Sequence, residues 1–172
     1  MYMRGEVVPL SAKKAIPWYE KAYAKGDVDA INGLARLYRY GSGVKKNQEK
    51  AFEYYQMASL KDHTRSQVGL GMAYRDARGV KKTLIYAYSW FSIASSKIDD
   101  DEYRQYRKTY EDEQENLNRN QPQCEYVLEG KTFGHIFAVG YGKQMLKDLK
   151  KRLSVIQIRK AEALASELKQ TI

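Results

Sequence analysis

The chain has 172 residues, the size of one ordinary domain, and carries a net charge of +9. Its single cysteine excludes an internal disulfide and a cysteine-based zinc site. Its two histidines lie far apart in the sequence, which argues against a metal site and against a histidine-based catalytic triad. No apolar run approaches the roughly 20 residues that a membrane-spanning helix needs.

The first part of the chain repeats itself with a shift of 36 residues. KAIPWYEKA (residues 14–22) aligns with KAFEYYQMA (50–58) and with YAYSWFSIA (86–94). GLARLYRYGSGVKKN (33–47) aligns in the same register with GLGMAYRDARGVKKT (69–83). The first residues also fit this register, so the chain opens on the end of a repeat. A period of this length is typical of solenoids, in which each unit packs on its neighbours.

Each unit is predicted to contain two helices. The first helix has apolar residues at spacings of three, one and three, which places them on one face. In the first copy this face consists of Ala15, Trp18, Tyr19 and Ala22. The second helix contains a recurring glycine, Gly33 or Gly69, that costs about 1 kcal/mol of helix stability. This recurrence predicts a close helix–helix contact at both glycines.

Glycines and short polar residues mark the predicted helix ends. Gly26 ends the first helix as a C-cap, and the second helix ends near Gly41 or Gly79. Asn47 and Thr83 are predicted to cap the first helices that follow.

Pro17 gives a separate prediction about where the first helix begins. It conflicts with a helix that starts at Ser11, because proline has no N–H to donate within a helix. It fits a start nearer Ala15, where that N–H is not needed.

The repeated segments resemble the Sel-one-like repeat, a branch of the tetratricopeptide-type α-solenoids. The matching residues are GLARLYRYGSGVKKNQEKAFEYYQMA and GLGMAYRDARGVKKTLIYAYSWFSIA, and the match covers about residues 1–97. Ala77 stands where the family pattern has its first loop glycine, and Tyr86 stands where the pattern has lysine. The resemblance implies an all-α fold, a right-handed α/α superhelix built of helix pairs.

Residues 98–142 depart from the repeat and are predicted to form an insert. Their first part is highly charged and helical, with Tyr103, Tyr106 and Tyr110 along one stripe. It is expected to pack as an extra helix or to be a solvated insertion. Irregular inserts are often functional, while disorder is an equally open interpretation.

The rest of the insert, QPQCEYVLEGKTFGHIFAVGYG, is rich in β-branched and aromatic residues. Turn signals lie at Glu129-Gly130 and at Gly140. A hairpin or an irregular loop is therefore expected.

Residues 143–172 are predicted to form two closing helices. Ser154 and Gln157 match a capping box that starts the last one. A solenoid needs a cap because its last repeat otherwise exposes a hydrophobic face. We therefore expect the stack to end here. At the other end, we expect that a helix preceding the first repeat is missing, truncated or supplied by a partner.

The faces of the first helices that lie opposite their packing stripes are the predicted partner-binding surface. Their mixed polar character suits a peptide or the edge of a folded protein, while some of these residues are expected only to face solvent. The aromatic pairs are expected to lie in the core. The candidate residues are Lys13, Glu20, Glu49, Glu53, Gln56, Ser89 and Ser92, joined by Tyr103, Tyr106 and Tyr110 of the insert.

No catalytic constellation is visible in the sequence. There is no glycine-rich phosphate loop, and the acidic run from Asp99 to Glu102 is typical of a helix start. A cysteine-rich branch of the resembling family is associated with β-lactam binding or hydrolysis, but the paired cysteines of that branch are absent here. We therefore predict no enzyme activity, no cofactor and no metal, and a cell-wall-related enzyme is the weakest alternative.

The resemblance implies a bacterial protein–protein interaction module, such as an adaptor or scaffold, with a protein partner. The net charge of +9 adds an acidic surface as an expected partner. The alternative is an immunity or inhibitor protein that neutralises a secreted toxin. Nucleic-acid binding ranks lower, because no aromatic–basic platform supports it. The protein is expected to be soluble, in the bacterial cytoplasm or periplasm.

Overall fold

The computed structural model of the protein describes residues 12–98, 103–105, 108, 127–128 and 131–172. In chain order its elements are α1 (Ala12–Ala24), α2 (Val28–Tyr40), α3 (Gln48–Ser59), α4 (Thr64–Asp76), α5 (Leu84–Ser95), α6 (described at residues 103–105), β1 (Val127–Leu128), β2 (Lys131–Thr132), α7 (Phe133–Lys150) and α8 (Val155–Gln170).

The helices α1 to α5 pack in sequence order, each against the next. Each predicted unit therefore contains two helices, α1 with α2 and α3 with α4, and α5 opens the third. This arrangement confirms the predicted all-α solenoid. The core runs along the stack and includes Ile31, Leu34, Leu70, Phe91 and Ile93, all fully buried.

The recurring glycines bring the two helices of each unit into close contact, as predicted. A Cβ atom on Gly33 would lie 2.6 Å from Cε1 of Tyr19, and one on Gly69 would lie 2.6 Å from Cε1 of Tyr55. No real Cβ–carbon contact is that short, so each tyrosine ring occupies the space that a side chain would need. The helix-propensity cost of glycine is therefore offset by the packing of a large aromatic ring.

The N-caps follow the 36-residue register. Asp27 caps α2 and His63 caps α4, each accepting a hydrogen bond from the backbone N–H three residues on. Asn47 caps α3 in the predicted way, because its Oδ1 accepts from the Lys50 N–H at 2.8 Å. Thr83 occupies the cap position of α5 without a side-chain cap bond.

The C-caps show one departure from prediction. Gly26 and Gly41 adopt positive φ values of +86° and +73° at the helix ends where they were predicted. In the next repeat α4 ends at Asp76, near Gly79 as predicted, but its C-cap is Ala77, at φ +57°, and not a glycine. Ala77 thus keeps the left-handed backbone of the family glycine that it replaces, at a steric cost.

Pro17 lies inside α1, so the predicted start near Ala15 is wrong. The helix begins at Ala12 and continues through the proline, which leaves the carbonyl four residues before it without its helical partner. The packing of Tyr19 against Gly33 holds this helix on α2 and outweighs the unfavourable helix propensity of the proline.

The helix α7 takes the place of the second helix in the third unit. Arg39 of α2 directs Nη1 at the Met72 sulfur of α4, and Arg75, 36 residues later on α4, directs Nη1 at the Met145 sulfur of α7. The helix α7 packs against both α4 and α5. The helix α7 therefore contacts α4 in the way that α4 contacts α2, although residues 96–132 separate α7 from α5.

The strands β1 and β2 pair antiparallel, with Val127 opposite Thr132 and Leu128 opposite Lys131. They flank the predicted turn at Glu129-Gly130 and thus support the hairpin alternative. The turn predicted at Gly140 is wrong, because Gly140 lies within α7. This helix crosses the boundary placed at residue 142, and the division of the chain into three segments remains a prediction.

The last helix, α8, begins with the predicted capping box of Ser154 and Gln157. It packs against α5, and Ala161 and Ala165 are its buried residues. Ala161 joins a core cluster with Ala87, Phe91 and Leu149. The helix therefore covers the apolar side of α5, as a cap on the stack would.

Candidate functional site

The predicted first-helix face is exposed on α1 and α3. Glu20, Glu49, Glu53 and Gln56 are all exposed. The three residues of α3 are spaced by four and three positions and so share one side of the helix. Lys13 lies within α1, but its side chain is outside the described residues. These positions form a polar, mainly acidic face along the first helices.

Ser89 does not belong to this face, and its prediction as a partner-binding residue is wrong. The residue is fully buried, and its hydroxyl donates to the Ala161 carbonyl of α8 at 2.7 Å. It also lies 3.0 Å from the Ile85 carbonyl. The closing helix covers this side of α5, which the repeat register alone does not reveal. Ser92 remains half-buried.

The predicted tyrosine stripe of the insert is only partly described. Tyr103 is half-buried and packs against the cluster of Ile98, Ile136 and Val139. Its ring also lies 5.5 Å from the Lys143 ammonium nitrogen. Much of Tyr103 therefore contacts the chain itself. Tyr106 and Tyr110, like the run from Asp99 to Glu102, lie outside the described residues.

The aromatic pairs differ between the first repeat and the later ones. Tyr55, Trp90 and Phe91 are buried, as expected. Trp18 is 72% exposed, so the core prediction is wrong for this residue, whereas Tyr19 and Tyr54 are half-buried. Its exposed ring lies beside Lys21, whose ammonium nitrogen is 5.7 Å from the ring centre.

A row of aromatic rings crosses from α1 to α3. Tyr23 meets Tyr54 edge to face at 6.3 Å, and Tyr54 stacks with Tyr38 at 5.8 Å. Lys50 donates to the Tyr38 hydroxyl at 2.8 Å, and this hydrogen bond is the main reason that the pKa of Lys50 is raised. The half-buried position of Tyr54 raises the pKa of its phenol. Lys50 is therefore a cation and the Tyr54 phenol is neutral at neutral pH.

A second surface, not predicted from the sequence, is an arginine-lined cleft of about 390 Å³ between α2, α4 and α7. Its charged residues are Arg36, Arg39 and Arg65, and no Asp or Glu is among the described residues that line it. The aromatic residues that line it are Tyr40, Tyr55, Phe137 and Tyr141. We call this surface the arginine cleft.

The walls of the arginine cleft are held by polar contacts. Arg75 Nη1 donates to the Tyr141 hydroxyl at 3.2 Å, and Arg75 also pairs with Asp76 at 2.7 Å. The guanidinium lowers the pKa of Asp76, which keeps the carboxylate charged. Burial raises the pKa of Tyr55, and the Arg39 guanidinium opposes part of that rise.

The rim of the arginine cleft contains a network centred on Asp29. Arg65 Nη2 lies 2.6 Å and His63 Nε2 lies 3.2 Å from Asp29 Oδ1. His63 Nδ1 accepts from the Ser66 N–H, so this nitrogen carries no proton and the ring is neutral. Ser66 in turn donates to Asn32 Oδ1 at 3.2 Å. Burial lowers the pKa of His63 and favours the neutral ring, although Asp29 opposes this effect.

The arginine cleft was not predicted from the sequence. The predicted surface lies on the first helix of each unit, whereas the arginines of the cleft lie on the second helices, α2 and α4. Two signals were present. Arg36 and Arg39 are three residues apart on one side of α2, and Arg39 recurs 36 residues later as Arg75. The wall formed by α7 carries no such signal, because the repeat register ends before it.

Comparison with protein families matches the Sel1 repeat at residues 1–27, 28–63 and 64–99. The chain belongs to the Sel1 repeat family. The second and third matches begin at α2 and α4, which agrees with the 36-residue period and with the predicted resemblance. Sel1 repeat proteins generally mediate interactions between proteins.

Solved structures with the same architecture include a protective antigen present in uropathogenic Escherichia coli strains, which displays an SLR fold. The two share 22% identity over 92% of this chain and 26% of that one, with a TM-score of 0.66. This Sel1 repeat chain thus spans about a quarter of the length of that protein, and the likeness is one of fold.

A Sel1 repeat protein from Oxalobacter formigenes matches 55% of this chain and 40% of its own, at 27% identity and a TM-score of 0.47. A comparison of the sequence with curated proteins finds no match.

The part of the chain that the structure describes contains neither a candidate metal site nor a candidate membrane-spanning helix. No group of three or more His, Cys, Asp or Glu side chains there is placed to hold a metal ion. Within the same residues, no helix combines the length and the apolar character that crossing a bilayer requires.

Proposed function

We propose that this Sel1 repeat chain is a non-catalytic interaction module that binds a protein or peptide partner through its solenoid surface. The observation that carries the proposal is the stack of three contiguous Sel1 repeats over residues 1–99. Its polar faces point outward on helices that are fixed by a buried core. The backbone of packed helices loses little further freedom on binding, which favours affinity.

The stack offers two surfaces of opposite character. The face of the first helices carries Glu49 and Glu53 on α3 and Glu20 on α1. The face of the second helices carries the arginine cleft. A partner with complementary charge on either side would be steered to one face and away from the other.

A site-specific cross-linking experiment tests the proposal. A photo-reactive amino acid at Glu53 of α3, and separately at Arg36 of α2, is expected to capture a protein partner in the native cell. The same amino acid at Glu167, exposed on α8, is the matched control. Capture of one protein from Glu53 or Arg36 but not from Glu167 supports the proposal.

The captured partner is then purified and its affinity is measured by calorimetry. A stoichiometric complex is expected. If the purified protein binds no captured partner, or if a partner is chemically converted by the chain alone, the proposal of a non-catalytic module fails.

The finer proposal is that the module acts as an adaptor in a bacterium, in the cytoplasm or the periplasm. The alternative is an immunity protein, and the two differ in the partner. Expression of the captured partner alone is expected to leave growth unchanged if the chain is an adaptor. Arrested growth that co-expression of this chain restores would support the immunity alternative.

A further inference from the structure

The arginine cleft presents two arginines, Arg36 and Arg39, to solvent and to the cleft. Among the described residues, Arg36 and Arg39 form no ion pair, whereas Arg65 is paired with Asp29. Arg36 is exposed, and the Arg39 guanidinium lies 5.0 Å from the ring centre of Tyr40. Arginine forms strong, often bidentate, hydrogen bonds to carboxylates, so this pair is suited to an acidic ligand.

The cations stand beside apolar and aromatic surface. Tyr40 is 61% exposed and Phe137 is 65% exposed, and both line the cleft. Val68 and Met72 of α4 lie between these two walls. Tyrosine and arginine are the residue types that contribute most to binding at protein interfaces. The ligand that fits this lining combines carboxylates with an apolar or aromatic side chain.

The cleft is preorganised because its walls are helices rather than loops. Its arginines come from α2 and α4, and Tyr141 of α7 is held by the hydrogen bond from Arg75. Its volume of about 390 Å³ falls in the range of roughly 300–1,000 Å³ typical of ligand clefts. A few side chains of an extended segment fill such a space.

We propose that the arginine cleft binds an acidic peptide segment of the partner protein, with Arg36 and Arg39 pairing with its carboxylates and an apolar side chain packing between Tyr40 and Phe137. The proposal rests on the proposed function and names the surface and the chemistry of the partner. Nucleic acid is the weaker occupant, because binding to a phosphate backbone relies on many cationic contacts, whereas the described lining of the cleft has two arginines without an ion pair, Arg36 and Arg39.

Selection from a display library of random short peptides tests this proposal. The purified full chain is immobilised, and peptides enriched in Asp and Glu with at least one aromatic or aliphatic residue are expected. The variant R36Q/R39Q is expected to lose this enrichment. The matched control K81Q/K82Q removes two exposed charges from the loop before α5 and is expected to select the same peptides as the wild type.

One selected peptide, labelled with fluorescein, is then measured by fluorescence anisotropy. We expect R36Q/R39Q to weaken its affinity by about tenfold or more, and K81Q/K82Q to change it by less than about twofold. If R36Q/R39Q alters the circular dichroism spectrum, R36Q alone replaces it, because Arg36 is exposed and its loss leaves the fold intact.

Three results would overturn the proposal. These are enrichment of basic or uncharged peptides, equal binding by R36Q/R39Q, and displacement of the peptide by a short single-stranded oligonucleotide at lower concentration than by unlabelled peptide. If the partner captured by cross-linking still binds R36Q/R39Q with wild-type affinity, the proposed function stands and the assignment of the cleft fails.

Discussion

The rings of Tyr74 and Tyr86 stack with their centres 5.0 Å apart and 30° between their planes. In the preceding repeat the equivalent residues are Tyr38 and Lys50, and the ammonium nitrogen of Lys50 lies 4.3 Å from the Tyr38 ring centre. Both partners contact a tyrosine in the last turn of the second helix, Tyr86 by stacking on its ring and Lys50 by donating a hydrogen bond to its hydroxyl beside the ring. The replacement of the repeat lysine by Tyr86 therefore keeps the contact and changes its chemistry.

This equivalence predicts that Tyr86→Lys is tolerated. A cation over a ring and a stacked ring each contribute about 1 kcal/mol, so Y86K is expected to change the free energy of unfolding by less than that amount. Y86A removes the contact and is expected to cost about 1 kcal/mol or more. Urea denaturation followed by circular dichroism measures both, and equal losses for Y86K and Y86A would contradict the equivalence.

The close approach at Gly69 predicts that a single methyl group is destabilising there. Alanine raises helix propensity by about 1 kcal/mol. The new Cβ would however meet the buried Tyr55 ring at 2.6 Å, and such overpacking typically costs about 1–3 kcal/mol. A net loss of stability for G69A is expected in chemical denaturation.

The matched control for G69A is G33A. Its Cβ would meet the Tyr19 ring at the same distance, but Tyr19 is only half-buried and its ring has room to turn away. G33A is therefore expected to cost less than G69A. Stabilisation by G69A, or a larger loss for G33A, would refute this account of the glycines.

Because His63 is neutral in the folded chain, the free energy of unfolding is expected to decrease as the pH is lowered. Burial lowers its pKa from 6.5, so the folded chain binds a proton there less readily than the unfolded chain. The stabilisation is fully present above the unfolded pKa of 6.5 and is lost as pH falls from there through the folded pKa. Protonation of Nδ1 also removes the acceptor that caps α4.

The variant H63N isolates this effect, because asparagine caps α3 at Asn47 and keeps an acceptor at the same place. Free energies of unfolding are compared at about pH 7.5 and about pH 5. The wild type is expected to lose more stability between the two than H63N does. Identical losses would show that His63 titrates without cost to the fold.

The hydrogen bond from the buried Ser89 of α5 to Ala161 is expected to stabilise the packing of α8 on α5. S89A removes the hydrogen bond to Ala161 and is expected to cost about 1 kcal/mol. Hydrogen exchange of the amides of α8 is expected to become faster. S92A, at the half-buried position three residues on, is the control and is expected to change neither quantity; the same effect from both variants would argue against the link.

The regular part of the fold was predictable because one physical pattern recurs at one period. The glycines of the second helices, the cap at Asn47 and the burial of Tyr55, Trp90 and Phe91 follow from the 36-residue register. The structure departs from the prediction where contacts with residues distant in the sequence determine the local structure or burial. Pro17 lies inside a helix that is held by packing, and Ser89 is covered by α8.

The candidate site was predictable only in part for the same reason. Exposure of Glu49, Glu53 and Gln56 follows from their position opposite the packing stripe of α3. The arginine cleft depends on α7, whose place beside α4 and α5 is set by contacts such as that of Arg75 with Tyr141. No pattern within one repeat contains that information.

The packing of α7 on α5 allows the length of the connection between these two helices to vary. The two helices meet across residues 96–132, so their docking does not require a short connection of fixed geometry. The entropy of closing a loop grows only with the logarithm of its length, and doubling the length costs about 0.6 kcal/mol. Lengthening this connection beyond Ile98 and Tyr103, which pack on α7, is therefore expected to leave the stack nearly as stable, and it is where new sequence can be added to the solenoid without disturbing its register.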